Sequence, residues 1–316
     1  KTPSLVVKNI DPLPELNLDH LKVLSDDTGI LQHSTFSVPN RTEGYCVDDN
    51  ARALLLTAQL ESQSRLGREV SLLQGRYLGF VLDAFNPENG RFKNFMTYNR
   101  IWLETQGSED SHGRSMWCLA SFIAKCRDWS RKEAAKGAFI QGIGAFAATT
   151  SPRTWAYGAI AAHEFLTACP GNSIVTNLLR TLSEKLWRLY QINQGKDWIW
   201  YEQSLSYANA RIPQALILAG HTLQNDDLAQ VGLKSLSWLM DVQTDSSGFF
   251  GPVGSNGFYV RGHKKNEFDQ QPIEAAASVS ACICAYQVTA DPHWLSEAER
   301  SFRWFLGENA LGVQVF

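Results

Sequence analysis

The sequence predicts an all-α fold: an (α/α)6-type toroid of helical hairpins in a single domain over residues 1–316, with short β-hairpins at one mouth. Three observations predict it. Ala- and Leu-rich helical runs alternate with amphipathic ones at a period of about 45–65 residues, the mark of a repeat architecture. Polar clusters stand at the N-terminal side of each apolar run. The pattern of Gly44–Leu60, GYCVDDNARALLLTAQL, returns at Glu202–Gly220, EQSLSYANARIPQALILAG, with N-A-R again preceding an Ala/Leu run. A helix that is apolar nearly all round is a buried one. Polar starts that all fall on one side are better explained by a closed ring than by an open solenoid.

In chain order, Leu16–Ser25 reads as a short amphipathic helix and DDTGILQHSTFSVPNRTEG as an extended loop. Val47–Ser62 is the first buried helix, and Arg65–Phe85 is an outer helix with mixed faces. Asn89-Gly90 marks a hairpin turn between aromatic arms. The segment GSEDSHGRSMWCLASFIAKC opens the second buried helix, and Ser130–Ala148 is again outer. Pro152 suits the first position of a third buried helix, followed by an outer helix over Asn172–Asn193. GKDWIWYEQ reads as an aromatic strand leading into a buried helix at Tyr207–Leu223. Asn225–Val242 is outer, SGFFGPVGSNGFYVRG is a glycine-rich hairpin, and FDQQPIEAAASVSACICAYQ opens the last buried helix. PHWLSEAERSFRWFLGEN is the last amphipathic one. That makes about six amphipathic and five buried helices, so the six-hairpin ring lacks its last inner member.

Composition bounds the function. With 44% hydrophobic and 19% charged residues the chain can bury a large core. A net charge of −3 supplies no basic stripe for nucleic acid, and no apolar run reaches membrane-spanning length. The start, KTPSLVVKNIDPLP, has no signal-peptide pattern and reads as an extended lead-in, residues 1–15, cut from a longer polypeptide after an upstream domain. Six cysteines lie mostly inside apolar runs with no C-x-x-C pair, which predicts buried free thiols in a reducing, cytoplasmic setting. No metal spacing, P-loop, nucleophile elbow or dinucleotide fingerprint is present, so neither metal nor cofactor is expected.

The candidate site gathers at the helix starts. Asp48 and Asp49, with Arg52, open the first buried helix; capping accounts for one acid, and Asp49 is expected to face inward while Asp48 caps. Glu109 and Asp110 repeat the acidic pair beside His112 and Arg114, where Ser108 or Asp110 can serve as N-cap. Glu202 follows Trp198 and Trp200, and Tyr207, Asn209 and Arg211 open the next helix. Aromatic faces beside carboxylates and amides suit pyranose rings, which makes Trp102, Tyr157 and Trp200 candidates for stacking. Strand aromatics also alternate into cores, which is the competing account of the two tryptophans. Asp269, Gln271 and Glu274 open the last buried helix; Gln271 is a poor N-cap and Glu274 sits at a capping-box position, while Asp269 lies free in a loop.

On HSTFSVPNRTEGYCVDDNARAL, WIWYEQSLSYANARIPQALILAG and EFDQQPIEAAASVSA, nearly the whole chain resembles the helical toroid domains found in, or C-terminal to, bacterial family-4-type glycosyltransferase polypeptides. These belong with the six-hairpin glycosidase-like proteins. The resemblance implies carbohydrate chemistry, an oligosaccharide or glycan substrate, and a fused or partner glycosyltransferase, without specifying a reaction. Relatives often carry Glu-Asp and Tyr-Asp-Asn where this chain has Glu202-Gln203 and Tyr207-Ala208-Asn209, and they continue past the equivalent of Phe316 into a final inner helix. The resemblance therefore implies a truncated toroid. The leading expectation is an inverting glycoside hydrolase with acid and base drawn from Asp49, Asp110, Glu202 and Asp269. The alternatives are a non-catalytic glycan-binding domain serving a glycosyltransferase, and a sugar epimerase using His112 and His263 across the cavity.

Overall fold

The computed structural model describes residues 14–65 and 67–315, so the lead-in expected at 1–15 lies almost wholly outside the described residues. A short helix α1 (Asp19–Val23) and the strands β1 (Leu31–Thr35) and β2 (Val38–Cys46) come first. Five hairpins follow, each an inner helix and then an outer one. They are α2 (Val47–Ser62) with α3 (Arg68–Ala84), and α4 (Glu109–Lys125) with α5 (Trp129–Gly142). Next come α6 (Pro152–Ala168) with α7 (Ser173–Asn193), α8 (Arg211–Leu223) with α9 (Asp226–Val242), and α10 (Pro272–Thr289) with α11 (His293–Arg303). Inner helices pack in chain order, α2 on α4, α4 on α6, α6 on α8 and α8 on α10, and each outer helix packs on the inner one before it. The fold is the predicted (α/α)6-type toroid. With α1 counted as outer, the described residues supply six outer and five inner helices, and none of them fills the inner position between α10 and α2.

Small residues let the inner helices approach. In α6, Ala156, Ala159, Ala161 and Ala162 are fully buried. A Cβ on Gly113 of α4 would stand 3.1 Å from Tyr157 Cβ and 3.2 Å from Thr154 Cα, so glycine there draws Tyr157 against the polar end of α4. The inner starts are fastened individually. Ser108 caps α4 through Ser111 N–H at 3.0 Å, and Ser151 caps α6 with Pro152 at its first turn. Asn50 in α2 accepts from Ile30 N–H at 3.0 Å and donates to the Cys46 carbonyl at 2.9 Å, tying the strand approach to the helix.

Several local expectations change. The stretch read as an extended loop is the β1–β2 hairpin, and β2 also pairs with β5 (Phe95–Met96), Tyr45 opposite Met96. Gly44 is required at that junction: its φ is +66° and a Cβ would meet the Met96 carbonyl oxygen at 2.2 Å. Asn89-Gly90 does turn between β3 (Phe85–Asn86) and β4 (Arg91–Phe92). GKDWIWYEQ is not a strand. The glycine-rich stretch does not pair with itself either, because its β7 (Tyr259–Val260) runs antiparallel to β6 (Ser204–Leu205). The outer helix expected to Ala148 ends at Gly142 and tightens into a 3₁₀ turn over Ile143–Ala148. All six cysteines are free thiols, five of them buried. Among the described residues no helix is long and apolar enough to cross a membrane.

Candidate active site

On each inner helix a stripe of residues three and four apart faces the ring axis. Helix α2 presents Arg52, Leu55 and Gln59; α4 presents Arg114, Trp117 and Lys125; α6 presents Ile160 and Glu164, with Asp48, Asp110, Arg153 and Tyr157 lying toward the starts of the same three helices. Arg211 and Gln214 continue the wall on α8, and Ser280 on α10. All five inner helices line one axial cavity of about 600 Å³. Deep in it, Lys125 pairs with Glu164, which also accepts from Trp117 Nε1 at 3.4 Å.

At the N-terminal mouth the inward acid is Asp48, not Asp49. Asp48 Oδ2 lies 3.1 Å from Arg114 Nε and 3.9 Å from Arg52, and Oδ1 is buried without a hydrogen-bond partner. Burial lifts the Asp48 carboxyl above the ordinary aspartate range, against the pull of Arg114 and Arg52. Asp49 turns instead toward α1 and β1, lining a recess with Leu21 and Leu24, and pairs with Arg52 at 2.9 Å. Burial acts to lower Arg52, but Asp48 and Asp49 outweigh it and hold the guanidinium above its usual value. Asp110 Oδ1 accepts from Ser151 Oγ at 3.0 Å and Thr154 Oγ1 at 2.9 Å, which sets its orientation at the α4–α6 boundary. Trp117 and Tyr157 stack with centroids 5.8 Å apart and planes 14° apart; Arg211 lies over Trp117 at 4.5 Å and Arg114 over Tyr157 at 4.7 Å. The mouth thus holds an aromatic pair with a guanidinium group over each ring and the carboxylates nearby.

The remaining candidates separate by position. Glu202 reaches the rim through Arg153, whose guanidinium donates to it at 2.7 Å and lies 5.2 Å over the ring of Tyr207. Glu109 is half-buried and caps the next hairpin, accepting from the N–H groups of Thr150 at 2.8 Å and Ser151 at 2.7 Å. Glu274 forms no capping box on its own helix. It is fully enclosed and accepts from Ala208 N–H and Asn209 Nδ2, the latter at 2.8 Å, and burial raises its carboxyl above the ordinary range. Asn209 is equally enclosed, so these two fasten α8 to α10 rather than line the mouth. Trp200 is fully buried against Tyr201 and Trp238, which bears out the core account of the aromatic stretch and removes Trp200 from any sugar-facing surface. Trp102 packs on Phe80 of the outer helix α3, away from the axis, and donates to Asp83. Asp269 and Gln271 are exposed on the loop before α10, and Gln271 makes no cap bond.

His112 lies in the core between Phe92 and Phe146, and neither ring nitrogen makes a well-formed hydrogen bond. Burial lowers its pKa to about 3, so it stays neutral. The folded value lies below that of the unfolded chain, so stability is full above about pH 6.5 and is lost as pH falls toward the folded value. Thermal melts from pH 6.5 to 5 should therefore show a loss worth about 2 kcal/mol that is absent from His112→Leu. Equal slopes in the two proteins would contradict a buried neutral histidine. His263 is exposed on the rim, and among the described residues no two histidines face each other across the axis.

Sequence reasoning missed Trp117, Arg153, Gln214, Ser280, Lys125 and Glu164. For the residues on α4 and α6 the signal was available: extending the helical stripe from Asp110 or Arg153 passes through Trp117 and Lys125, or Tyr157 and Glu164. Among the described residues no group of His, Cys, Asp and Glu is arranged to hold a metal ion.

No protein-family model matches the chain, and no curated protein matches it in sequence. Solved structures do share its fold. A sugar epimerase from a ruminal bacterium superposes with a TM-score of 0.69 at 14% identity, over 90% of this chain and 82% of that one. The cellobiose 2-epimerase of Bacillus thermoamylovorans gives 0.70 at 11% identity, over 92% and 84%. The cellulase Cel9M of C. cellulolyticium, in complex with cellobiose, gives 0.57 at 11% identity, over 85% and 67%. At these identities the likeness establishes the toroid and leaves the chemistry to the residues at the mouth.

Proposed function

We propose that the chain is a carbohydrate-active enzyme that hydrolyses a glycosidic bond of an oligosaccharide at the axial mouth, with inversion. The observation that carries this is Asp48: a carboxyl at the axial mouth with a raised pKa, held beside the guanidinium groups of Arg114 and Arg52. Such a group can hold a proton and deliver it to the leaving glycosidic oxygen. Asp110, oriented by two hydroxyls, is the second carboxyl. It takes a proton from water as that water attacks the anomeric carbon and the glycosidic bond breaks. Trp117, which lines the axial cavity, would stand beside the bound sugar. A glycosyltransferase, fused or separate, is the partner we expect to share the glycan.

Epimerisation is the second reading, because two of the structures with this fold are epimerases. It asks for histidines on both faces of the sugar, and the enclosed His112 and exposed His263 do not supply them. Incubating the protein with β-linked gluco- and manno-oligosaccharides and separating products by mass distinguishes the two. Shorter saccharides are expected; an isomer of unchanged mass would replace hydrolysis by epimerisation, and no product would leave a binding domain.

A further inference from the structure

Arg211 opens α8 on the wall of the axial cavity and has no acidic partner among the described residues. Its Nη1 donates to Gln214 Oε1 at 2.7 Å and to Ser280 Oγ at 2.9 Å, both neutral acceptors. The nearby Glu274 is committed to Ala208 and Asn209. Burial lowers the Arg211 pKa only to about 10, so the guanidinium stays charged at neutral pH. Arg114 is similar at its outer end: Nε faces Asp48, and its two terminal nitrogens make no hydrogen bond among the described residues. Between the two guanidinium groups stand the stacked rings of Trp117 and Tyr157, and the Tyr157 hydroxyl, in a residue 1% exposed, is buried without a partner.

Buried charges in proteins are normally paired, whereas Arg211, half-buried on the cavity wall, has only two neutral acceptors and the face of Trp117. The Arg211 guanidinium is itself a donor alone, and a charged one. The planar guanidinium fork matches the two oxygens of a carboxylate or a phosphate. We infer that the saccharide bound at this mouth carries an anionic group, a carboxylate or a phosphate ester, seated by Arg211 on the cavity wall. The inference rests on the carbohydrate reading above and adds the chemical class of the substrate.

Isothermal titration calorimetry of the full chain with cellobiose, cellobiouronic acid and cellobiose 6′-phosphate tests it without requiring turnover. At least one anionic probe is expected to bind about 10- to 100-fold more tightly than cellobiose. The ranking of the two anions identifies carboxylate or phosphate as the source. Arg211→Gln is expected to abolish the preference, and Arg211→Lys, which keeps the charge but loses the fork, to retain part of it. Equal binding of neutral and anionic probes overturns the inference and leaves the carbohydrate reading standing. A preference that survives in folded Arg211→Gln also overturns it, and if no probe binds, both readings fall.

Discussion

Asp48→Asn is expected to lower turnover by about 10²- to 10⁴-fold while leaving the fold intact, the usual contribution of a positioned general acid. Asparagine keeps the shape and an oxygen for Arg114, but it cannot deliver a proton. The wild-type pH profile carries a second signature. A general acid must be protonated, so the rate falls as pH rises through the pKa of Asp48, which burial moves upward from the aspartate range. That alkaline limb should disappear in Asp48→Asn, whose residual rate loses this dependence. Asp49→Asn is the natural control: with Asp49 turned into the recess beside Leu21 and Leu24, the effect should be many-fold smaller. Kinetics of the two variants on one substrate check this directly, and equal losses would contradict the assignment of Asp48.

Arg153→Met is expected to cause the largest loss of stability. Arg153 is 4% exposed and ties the start of α6 to the approach of α8. Its guanidinium donates to the Tyr207 carbonyl at 2.6 Å, to Glu202 at 2.7 Å and to Asn209 Oδ1 at 3.3 Å. Methionine replaces most of the volume and none of these bonds, which strands a carbonyl and a carboxylate. Breaking one side of a buried pair costs about 3–5 kcal/mol. The Glu202 side chain is 26% exposed, so water recovers part of its solvation and the lower end applies. For a chain of this size about 3 kcal/mol corresponds to a drop of roughly 5 °C in melting temperature. Calorimetry decides it; a change below about 1 °C would mean that the Arg153 network contributes little.

Which parts of this molecule could be read from its sequence follows from how local each determinant is. Helix α2 runs over Val47–Ser62 as expected, because its Asp pair and its Ala/Leu body are contiguous signals. The deficit of one inner helix among the described residues was equally visible, since each hairpin leaves its own alternation of apolar and amphipathic runs. The choice between Asp48 and Asp49 was not local. Adjacent residues on a helix point about 100° apart, and the partner that marks the inward one, Arg114, stands on another helix. Trp198 and Trp200 misled for a related reason: their alternation is strand-like, yet they fill space beneath Trp238 of α9 in an irregular segment. The β1–β2 hairpin has a polar sequence and a tip with exposed Phe36, and its third strand, β5, arrives only after α3. Glu274 fits a capping box in sequence, and only the fold reveals that it serves α8 instead.

The central claim is that Asp48 acts on a saccharide at the axial mouth. The most direct measurement is a proton NMR time course of β-linked gluco- and manno-oligosaccharides with the wild-type protein and with Asp48→Asn in parallel. The account predicts new anomeric signals with the wild type, the inverted anomer first, and almost none with the variant. Equal signals from both proteins, or none from the wild type under conditions where the glycan is bound, would contradict it.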